Sequence, residues 1–233
     1  MSNEMLKNKI AVVAGFQKDI ADEIANLFEL QGAKVFKYDL NTDFKNSNTL
    51  TENADVFVFI PPLFEFSEFA CHDEKTLNKP VCESISLLTE LMQKYIKGMK
   101  ENKSGKIVNV IYDYTDNAVP EVCAHALYSG AVKSLTKAIA MDYCKYDIRA
   151  NCIMAGFNIG MQGKYWKESL KKDSEFIDYQ PIKRLGLPSD IANAALFLAS
   201  DMSSFISGES IPVNGGAFAI GHNQAWNDWL KRI

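Results

Sequence analysis

The sequence lacks the residues and segments that several classes of protein require. Its five cysteines are odd in number, none stands at C-x-x-C spacing, and there are only three histidines, so we expect neither a disulfide framework nor a metal site. No apolar run approaches the roughly 20 residues that span a bilayer, and no signal-like segment opens the chain. These absences predict a cytoplasmic protein that holds no metal.

A large excess of charge of one sign is also missing. The net charge is −4, and acidic and basic residues alternate along the chain instead of forming blocks. Such a surface gives no electrostatic reason to expect nucleic acid or a membrane as partner. With 233 residues and 47% hydrophobic content, the chain suits one globular domain over residues 1–233, in which residues 217–233 form an aromatic tail.

What the sequence does contain is a regular alternation of strand-like and helix-like segments. Short apolar runs ending at glycine, proline or a polar residue predict strands at 9–15, 33–40, 54–62, 105–112, 147–156 and 207–216. Helical periodicity lies between them, most clearly over 80–99, 125–144 and 189–200. The alternation predicts an α/β fold of Rossmann-like, doubly wound type, with one parallel sheet covered by helices on both faces.

Two segments carry a family resemblance. Residues 181–216, PIKRLGLPSDIANAALFLASDMSSFISGESIPVNGG, resemble the R-x-G-x-P-x-D-I-A, F-L-x-S, I-x-G and V-D-G-G pattern of the short-chain dehydrogenase/reductase superfamily. Leu135, Thr136 and Lys137 are similar to the patch that follows that superfamily's catalytic Tyr-x-x-x-Lys. The resemblance spans nearly the whole chain and implies a Rossmann-like fold and NAD-linked oxidoreductase ancestry.

The phosphate-binding loop departs from the family pattern. Where the resemblance implies Thr-Gly-x-x-x-Gly-x-Gly, only the first glycine, Gly15, is present, and Asp19 stands at the second. We expect Asp19 to repel phosphate and to cap the following helix, although Lys18 offsets part of that repulsion. Asp39 matches the acidic residue that selects the 2′-hydroxyl of NAD in the family, so Gly15 and Asp39 are the only candidate cofactor-binding residues.

A deletion follows the second strand. Only 15 residues separate Asp39 from Asp55. The family places a helix, a strand and a second helix in this interval, and an average helix alone takes about 11 residues. We therefore expect the third strand and its flanking helices to be missing or vestigial.

The catalytic positions are also substituted. By spacing from Leu135 and from the strand that contains Asn151, the family's Ser, Tyr and Lys positions hold Tyr112, His125 and Ser129. A histidine can perform acid–base chemistry near neutral pH, but the lysine that tunes the family's tyrosine is absent. On this basis no catalytic residue and no bound cofactor are expected, with NAD as the cofactor if there is one.

These departures favour a non-catalytic subunit that supports an active NAD-dependent paralogue. The resemblance implies a homologous subunit as partner, in a homo- or hetero-oligomer of two or four chains, such as the hydroxyacyl-CoA dehydrogenase of benzylsuccinate (anaerobic toluene) degradation. The contact face would contain the small residues of the helix over 125–144: Gly130, Ala131, Ser134 and Ala138.

Three other functions stay open. The first is an NAD(P)-dependent oxidoreductase in which His125 replaces the tyrosine; the second is a cofactor-free lyase or dehalogenase, and the third is a ligand sensor. An aromatic-rich tract over 160–181 either covers a pocket or fills the cleft with Tyr165, Trp166 and Phe176. Trp226 and Trp229 in the tail suggest contact with another subunit.

Overall fold

The computed structural model of the chain describes residues 4–42, 51–115, 120–156, 158 and 181–217. These residues form six strands: β1 (Ile10–Gly15), β2 (Lys34–Asp39), β3 (Val56–Ile60), β4 (Gly105–Tyr112), β5 (Ile148–Ala155) and β6 (Ser210–Val213). They also form four α-helices: α1 (Lys18–Leu30), α2 (Lys79–Asn102), α3 (Cys123–Tyr143) and α4 (Pro188–Ala199). The predicted α/β, Rossmann-like single domain is confirmed.

All six strands are parallel and lie in the order β2-β1-β3-β4-β5-β6. Within the part of the chain that the structure describes, β2 is the strand at one edge, and residues 40–42 and 51–55 contain neither helix nor strand. This agrees with the predicted loss of the third strand and its helices. The chain reverses its winding direction between β1 and β3, which is where sheets of this type bind ligands.

The core lies in the middle of the sheet. Every residue of β3, β4 and β5 is buried, because α1 packs with α4 over one face and α2 packs with α3 over the other. The long apolar runs of these strands need burial on both sides, and the two helix pairs supply it. The helices cover the two faces of the sheet but not the carboxyl ends of its strands, and polar side chains converge at that edge.

Candidate functional site

The three family positions predicted from spacing come together at the carboxyl edge. Tyr112 is the last residue of β4, and His125 and Ser129 lie one turn apart in the first half of α3. The Ser129 hydroxyl oxygen accepts a 3.0 Å hydrogen bond from the Tyr112 backbone N–H. The rings of Tyr112 and His125 meet edge to face, with centroids 4.6 Å apart. Ser129 therefore ties α3 to the end of β4 and brings the other two residues into contact.

His125 lies inside an enclosure of aromatic rings. Its imidazole is fully buried, and ring centroids at 4.4 to 5.9 Å surround it on Phe66, Tyr112, Phe64 and Tyr114. Neither Nδ1 nor Nε2 has a hydrogen-bond partner. Burial, with a smaller contribution from the charge of His72, lowers the pKa of His125 to about 3. The imidazole is therefore neutral at physiological pH and offers one N–H donor and one acceptor.

Tyr128 supplies a second unpartnered donor, which sequence reasoning missed. It lies one turn after His125 on α3, so both side chains project from the same face of the helix. Its hydroxyl is buried without a hydrogen-bond partner, and its ring contacts Phe64 at 5.4 Å. Burial raises the pKa of Tyr128 well above its ordinary value, so the hydroxyl keeps its proton. The i, i+3 spacing from His125 was the signal available in the sequence.

The Tyr112 hydroxyl is already engaged. It donates to the Pro62 carbonyl oxygen and accepts a 3.2 Å hydrogen bond from Gln17 Nε2. Burial also raises the pKa of Tyr112 well above its ordinary value, so this hydroxyl stays protonated. Tyr112 thus occupies the family's serine position without offering a free donor.

The loop between β1 and α1 differs from the prediction in one respect. Gln17 is the N-cap residue of α1, and no side chain caps the first turn, whereas Lys18 and Asp19 are both exposed. The prediction that Asp19 caps the helix is therefore wrong, because the helix begins at Lys18 and Asp19 lies within its first turn, two residues after the N-cap position. Gly15 packs closely against β3: a Cβ there would lie 2.9 Å from Cδ1 and 3.1 Å from Cβ of Ile60, so the Ile60 side chain would have to shift.

Asp39 lies at the end of β2, beside Gly15 of β1 in the sheet register. One of its carboxylate oxygens, Oδ1, accepts hydrogen bonds from the backbone N–H and from Nδ2 of Asn41 at 3.0 and 2.9 Å. Asn41 Nδ2 also donates to the Phe16 carbonyl oxygen at 2.8 Å. The candidate ribose-binding carboxylate is therefore held in place by the residue two positions after it.

A pocket of about 340 Å³ opens two strands away, at the carboxyl end of β6. Its polar lining includes Arg184, Asn193 and Asn214. Asn214 connects the pocket to the site, because its side-chain amide donates to the buried Asp113 carboxylate, one residue after Tyr112. Arg184 is paired with Asp190 through two hydrogen bonds of 2.6 and 2.9 Å.

Among the described residues, no group of three or more histidine, cysteine, aspartate or glutamate side chains could hold a metal ion. No helix in the same ranges is long and apolar enough to cross a membrane. The residues of the predictions about Tyr165, Trp166, Phe176, Trp226 and Trp229 lie outside the described residues.

Comparison with known proteins places this geometry in a family. Residues 68–217, more than half of the chain, match the family described as Enoyl-(Acyl carrier protein) reductase. The chain is 30% identical to a 3alpha-hydroxysteroid dehydrogenase of Mediterraneibacter gnavus, over 91% of this chain and 98% of that one. It is 26% identical to a 3-oxoacyl-acyl-carrier-protein reductase of Chlamydia trachomatis, over 91% and 98%.

Solved structures show the same fold. A gluconate 5-dehydrogenase from Burkholderia cenocepacia, in complex with NADP and tartrate, superposes with a TM-score of 0.78 at 19% identity, over 93% of this chain and 98% of that one. At this identity the likeness concerns the fold alone.

The prediction of a non-catalytic subunit is wrong. Relatives that align over nearly the full length are named dehydrogenases and reductases, which favours the alternative of an NAD(P)-dependent oxidoreductase. The prediction equated the loss of particular residue types with the loss of chemistry. Hydrogen-bond donors can be provided by other side chains, and His125 and Tyr128 are two such donors in this structure. By the family match and by the similarity along nearly its whole length, the chain belongs to the short-chain dehydrogenase/reductase superfamily.

Proposed function

We propose that this protein is an NAD(P)-dependent oxidoreductase that interconverts a ketone and a secondary alcohol, with His125 at the family's tyrosine position and Tyr128 as the proton donor. The observation that carries the proposal is the pair of buried, unpartnered donors, His125 and Tyr128, on one face of α3. A bound reduced nicotinamide would supply the hydride to the carbonyl carbon. The residues of this chain would bind and polarise the carbonyl oxygen.

The two donors have different roles in this proposal. A neutral imidazole polarises a carbonyl through its N–H without transferring a full proton, and the low pKa of His125 suits that role. The Tyr128 hydroxyl keeps its proton because burial raises its pKa, so it can pass that proton to the alkoxide that hydride addition forms. If a carbonyl oxygen lies within reach of both groups, the two donors stabilise the charge that develops on it in this desolvated enclosure.

The residues around β1 and β2 fit a nicotinamide dinucleotide in part. The first turn of α1 has no capping side chain, so its N–H groups can receive a pyrophosphate, and the exposed Lys18 adds a positive charge. Asp39 lies where a carboxylate binds the 2′-hydroxyl of the adenosine ribose. A carboxylate there repels a 2′-phosphate, so we expect NAD to bind more tightly than NADP.

The substrate class follows from the surroundings of His125. The named relatives act on an oxoacyl group, a hydroxysteroid or a gluconate. Four aromatic rings pack around the buried imidazole, so a carbonyl can reach it only by passing among apolar groups, which favours an apolar ketone over a polyhydroxylated acid. We therefore propose an oxosteroid or a 3-oxoacyl thioester as substrate.

The test combines binding with turnover. Calorimetric titration with NAD, NADH, NADP and NADPH is followed by absorbance assays of NADH oxidation with a 3-oxosteroid, a 3-oxoacyl thioester and a keto sugar acid. We expect NADH to bind and the two apolar ketones to be reduced. Absence of binding at millimolar cofactor would remove the proposal, and turnover of the sugar acid alone would remove its substrate class.

We also propose that the protein works in the cytoplasm as an assembly of homologous chains that meet through α3. Ala131, Ser134 and Ala138 are exposed on this helix, and a Cβ added at Gly130 would meet no atom within 4 Å. Sedimentation velocity tests this assembly: Ala131→Arg is expected to convert dimers or tetramers to smaller species, and a monomeric wild-type protein would exclude it.

A further inference from the structure

Two amide side chains tie the loop between β1 and α1 to the strands on either side of it. On one side, Asn41 Nδ2 links the Asp39 carboxylate at the end of β2 to the Phe16 carbonyl oxygen. On the other side, Gln17 Nε2 donates to the Pro61 carbonyl oxygen at 2.9 Å and to the Tyr112 hydroxyl at 3.2 Å. We name Gln17 and Asn41 together the amide strap, which joins the carboxyl ends of β2, β1, β3 and β4.

The strap lies across the part of the sheet where a dinucleotide would bind. The winding of the sheet reverses between β1 and β3, and ligands of such sheets bind in the crevice beyond the strand ends at that point. Gln17 spans this crevice, because it starts after β1 and reaches the residue after β3 and the last residue of β4. Asn41 spans the neighbouring space between β1 and β2, where Asp39 would meet a ribose.

The chemistry of the contacts fixes the orientation of the Gln17 amide. The Pro61 carbonyl oxygen only accepts hydrogen bonds, so the NH₂ group must face it and Oε1 must point elsewhere. Oε1 is buried there without a partner, in a side chain that is only 9% exposed. A buried unpaired acceptor is unfavourable, so the closed position of Gln17 has a cost that opening would remove.

We propose that the amide strap is an autoinhibitory contact that closes the nucleotide crevice and must open before a dinucleotide binds. This inference rests on the proposed NAD(P)-dependent function. The Tyr112 hydroxyl has two hydrogen-bond partners, Gln17 and the Pro62 carbonyl, and it loses the first when Gln17 moves away. The Tyr112 ring also meets the His125 imidazole edge to face. Occupation of the crevice is thereby linked to the position of the proposed catalytic histidine.

The proposal is tested by measuring the Kd of NADH by calorimetry for the wild-type protein and for Gln17→Ala, Asn41→Ala and the double variant. We expect Gln17→Ala to bind roughly fivefold tighter, the change that follows from losing one net hydrogen bond of the closed state. For Asn41→Ala we expect a Kd within about twofold of the wild-type value, because the contact to the Phe16 carbonyl is lost together with the contact that holds the Asp39 carboxylate in place.

The matched control is Gln31→Ala. Gln31 follows the other end of α1, and its side-chain oxygen accepts a hydrogen bond from the Met5 N–H, so its loss should leave the Kd unchanged. Gln17→Met keeps the length of the side chain without a donor and replaces Gln17→Ala if that variant does not fold. Hydrogen exchange at the Phe16 and Gln17 amides gives a second readout and is expected to be faster in the strap variants.

The outcomes distinguish a failure of the strap inference from a failure of the proposed NAD(P)-dependent function. If the wild-type protein binds NADH and Gln17→Ala binds equally or more weakly, Gln17 is part of the binding site or irrelevant to it, and this inference fails. Unchanged hydrogen exchange in the variants would also overturn it. If none of the proteins binds any nicotinamide dinucleotide, the proposed function fails first, and the strap loses its role with it.

Discussion

Two buried polar regions at opposite ends of the same sheet differ in how their hydrogen bonds are satisfied. Near the start of β5, the guanidinium of Arg149 donates to the Ser203 hydroxyl and to three backbone carbonyl oxygens, those of Leu198, Ser200 and Ile206. At the carboxyl edge, both ring nitrogens of His125 and the hydroxyl of Tyr128 have no partner.

The difference separates a structural site from a candidate reactive one. Buried polar groups are nearly always hydrogen-bonded, because an unpaired group costs about 1–3 kcal/mol. Among the described residues, four of the seven buried side-chain atoms without a partner belong to Gln17, His125 and Tyr128. Arg149 is therefore a polar group with a structural role, because its hydrogen bonds are made within the fold. The donors and acceptors at the carboxyl edge are unpaired and can bind a ligand.

The largest effect on stability is expected from removing the hydrogen bonds of Arg149. Arg149→Leu leaves several buried carbonyl oxygens without a donor and should lower the free energy of unfolding by about 4 kcal/mol. Denaturant titration measures this change. Arg184→Leu is the matched control, since the ion pair of Arg184 with Asp190 is exposed to solvent and should contribute little to the free energy of unfolding. Equal losses in the two variants would contradict the structural role of Arg149.

The opposite pattern is expected at His125. His125→Phe keeps an aromatic ring in the enclosure but removes both ring nitrogens, so kcat/KM for ketone reduction should fall by about 100-fold. The free energy of unfolding should stay equal or rise, because two unpaired polar atoms are lost. Steady-state kinetics and denaturant titration of the same preparation measure both. Unchanged activity together with a loss of stability would show that the imidazole is structural.

Lowering the pH should destabilise the wild-type protein more than the His125→Phe variant. The folded-state pKa of His125, about 3, lies below the ordinary value of about 6.5, so below pH 6.5 the unfolded chain binds a proton that the folded chain excludes. Stability from this group is complete above pH 6.5 and decreases by up to about 1.4 kcal/mol per pH unit as the pH falls toward 3. His125→Phe should be less acid-sensitive by that slope in denaturant titrations from pH 7 to 4. Parallel curves for the two proteins would exclude the shift.

The smallest effects concern single hydroxyl groups. Tyr128→Phe should raise the free energy of unfolding by about 1 kcal/mol and lower kcat/KM about tenfold, since it removes an unpaired group that serves the reaction. Tyr95→Phe is the matched control: its hydroxyl is also buried without a partner, but it packs against Phe57 in the core. Thermal unfolding and kinetics should show a similar gain in stability with no change in activity. A loss of activity in both variants would break the distinction.

Much of the architecture followed from the sequence. Apolar runs located the strands, and the short interval after Asp39 indicated that a strand had been lost. The spacing of Tyr112, His125 and Ser129 along the chain predicted that they would lie at one site, and the structure shows them in contact. Position along a helix fixes which residues lie over a strand end. Tyr128 was not predicted, because it stands at none of the family's catalytic positions, and only its i, i+3 spacing from His125 places it on the same face of α3.

The amide strap could not be found in the sequence. Gln17 contacts Pro61 and Tyr112, which lie 44 and 95 residues away along the chain. No local pattern encodes such a contact, since a glutamine after a strand is compatible with many surface positions. The interpretation of His125 also needed its surroundings: the rings that exclude water come from two different connecting segments as well as from β4.

The sequence by itself determined the fold class, the order of the elements and the family, because hydrophobic periodicity and motif spacing are local properties that survive distant similarity. The tertiary structure decided which polar groups are satisfied and which are left unpaired. Hydrogen bonding and desolvation depend on neighbours that the chain brings together only when it folds, and these neighbours make His125 neutral, leave Tyr128 unpartnered and hold Gln17 across the crevice.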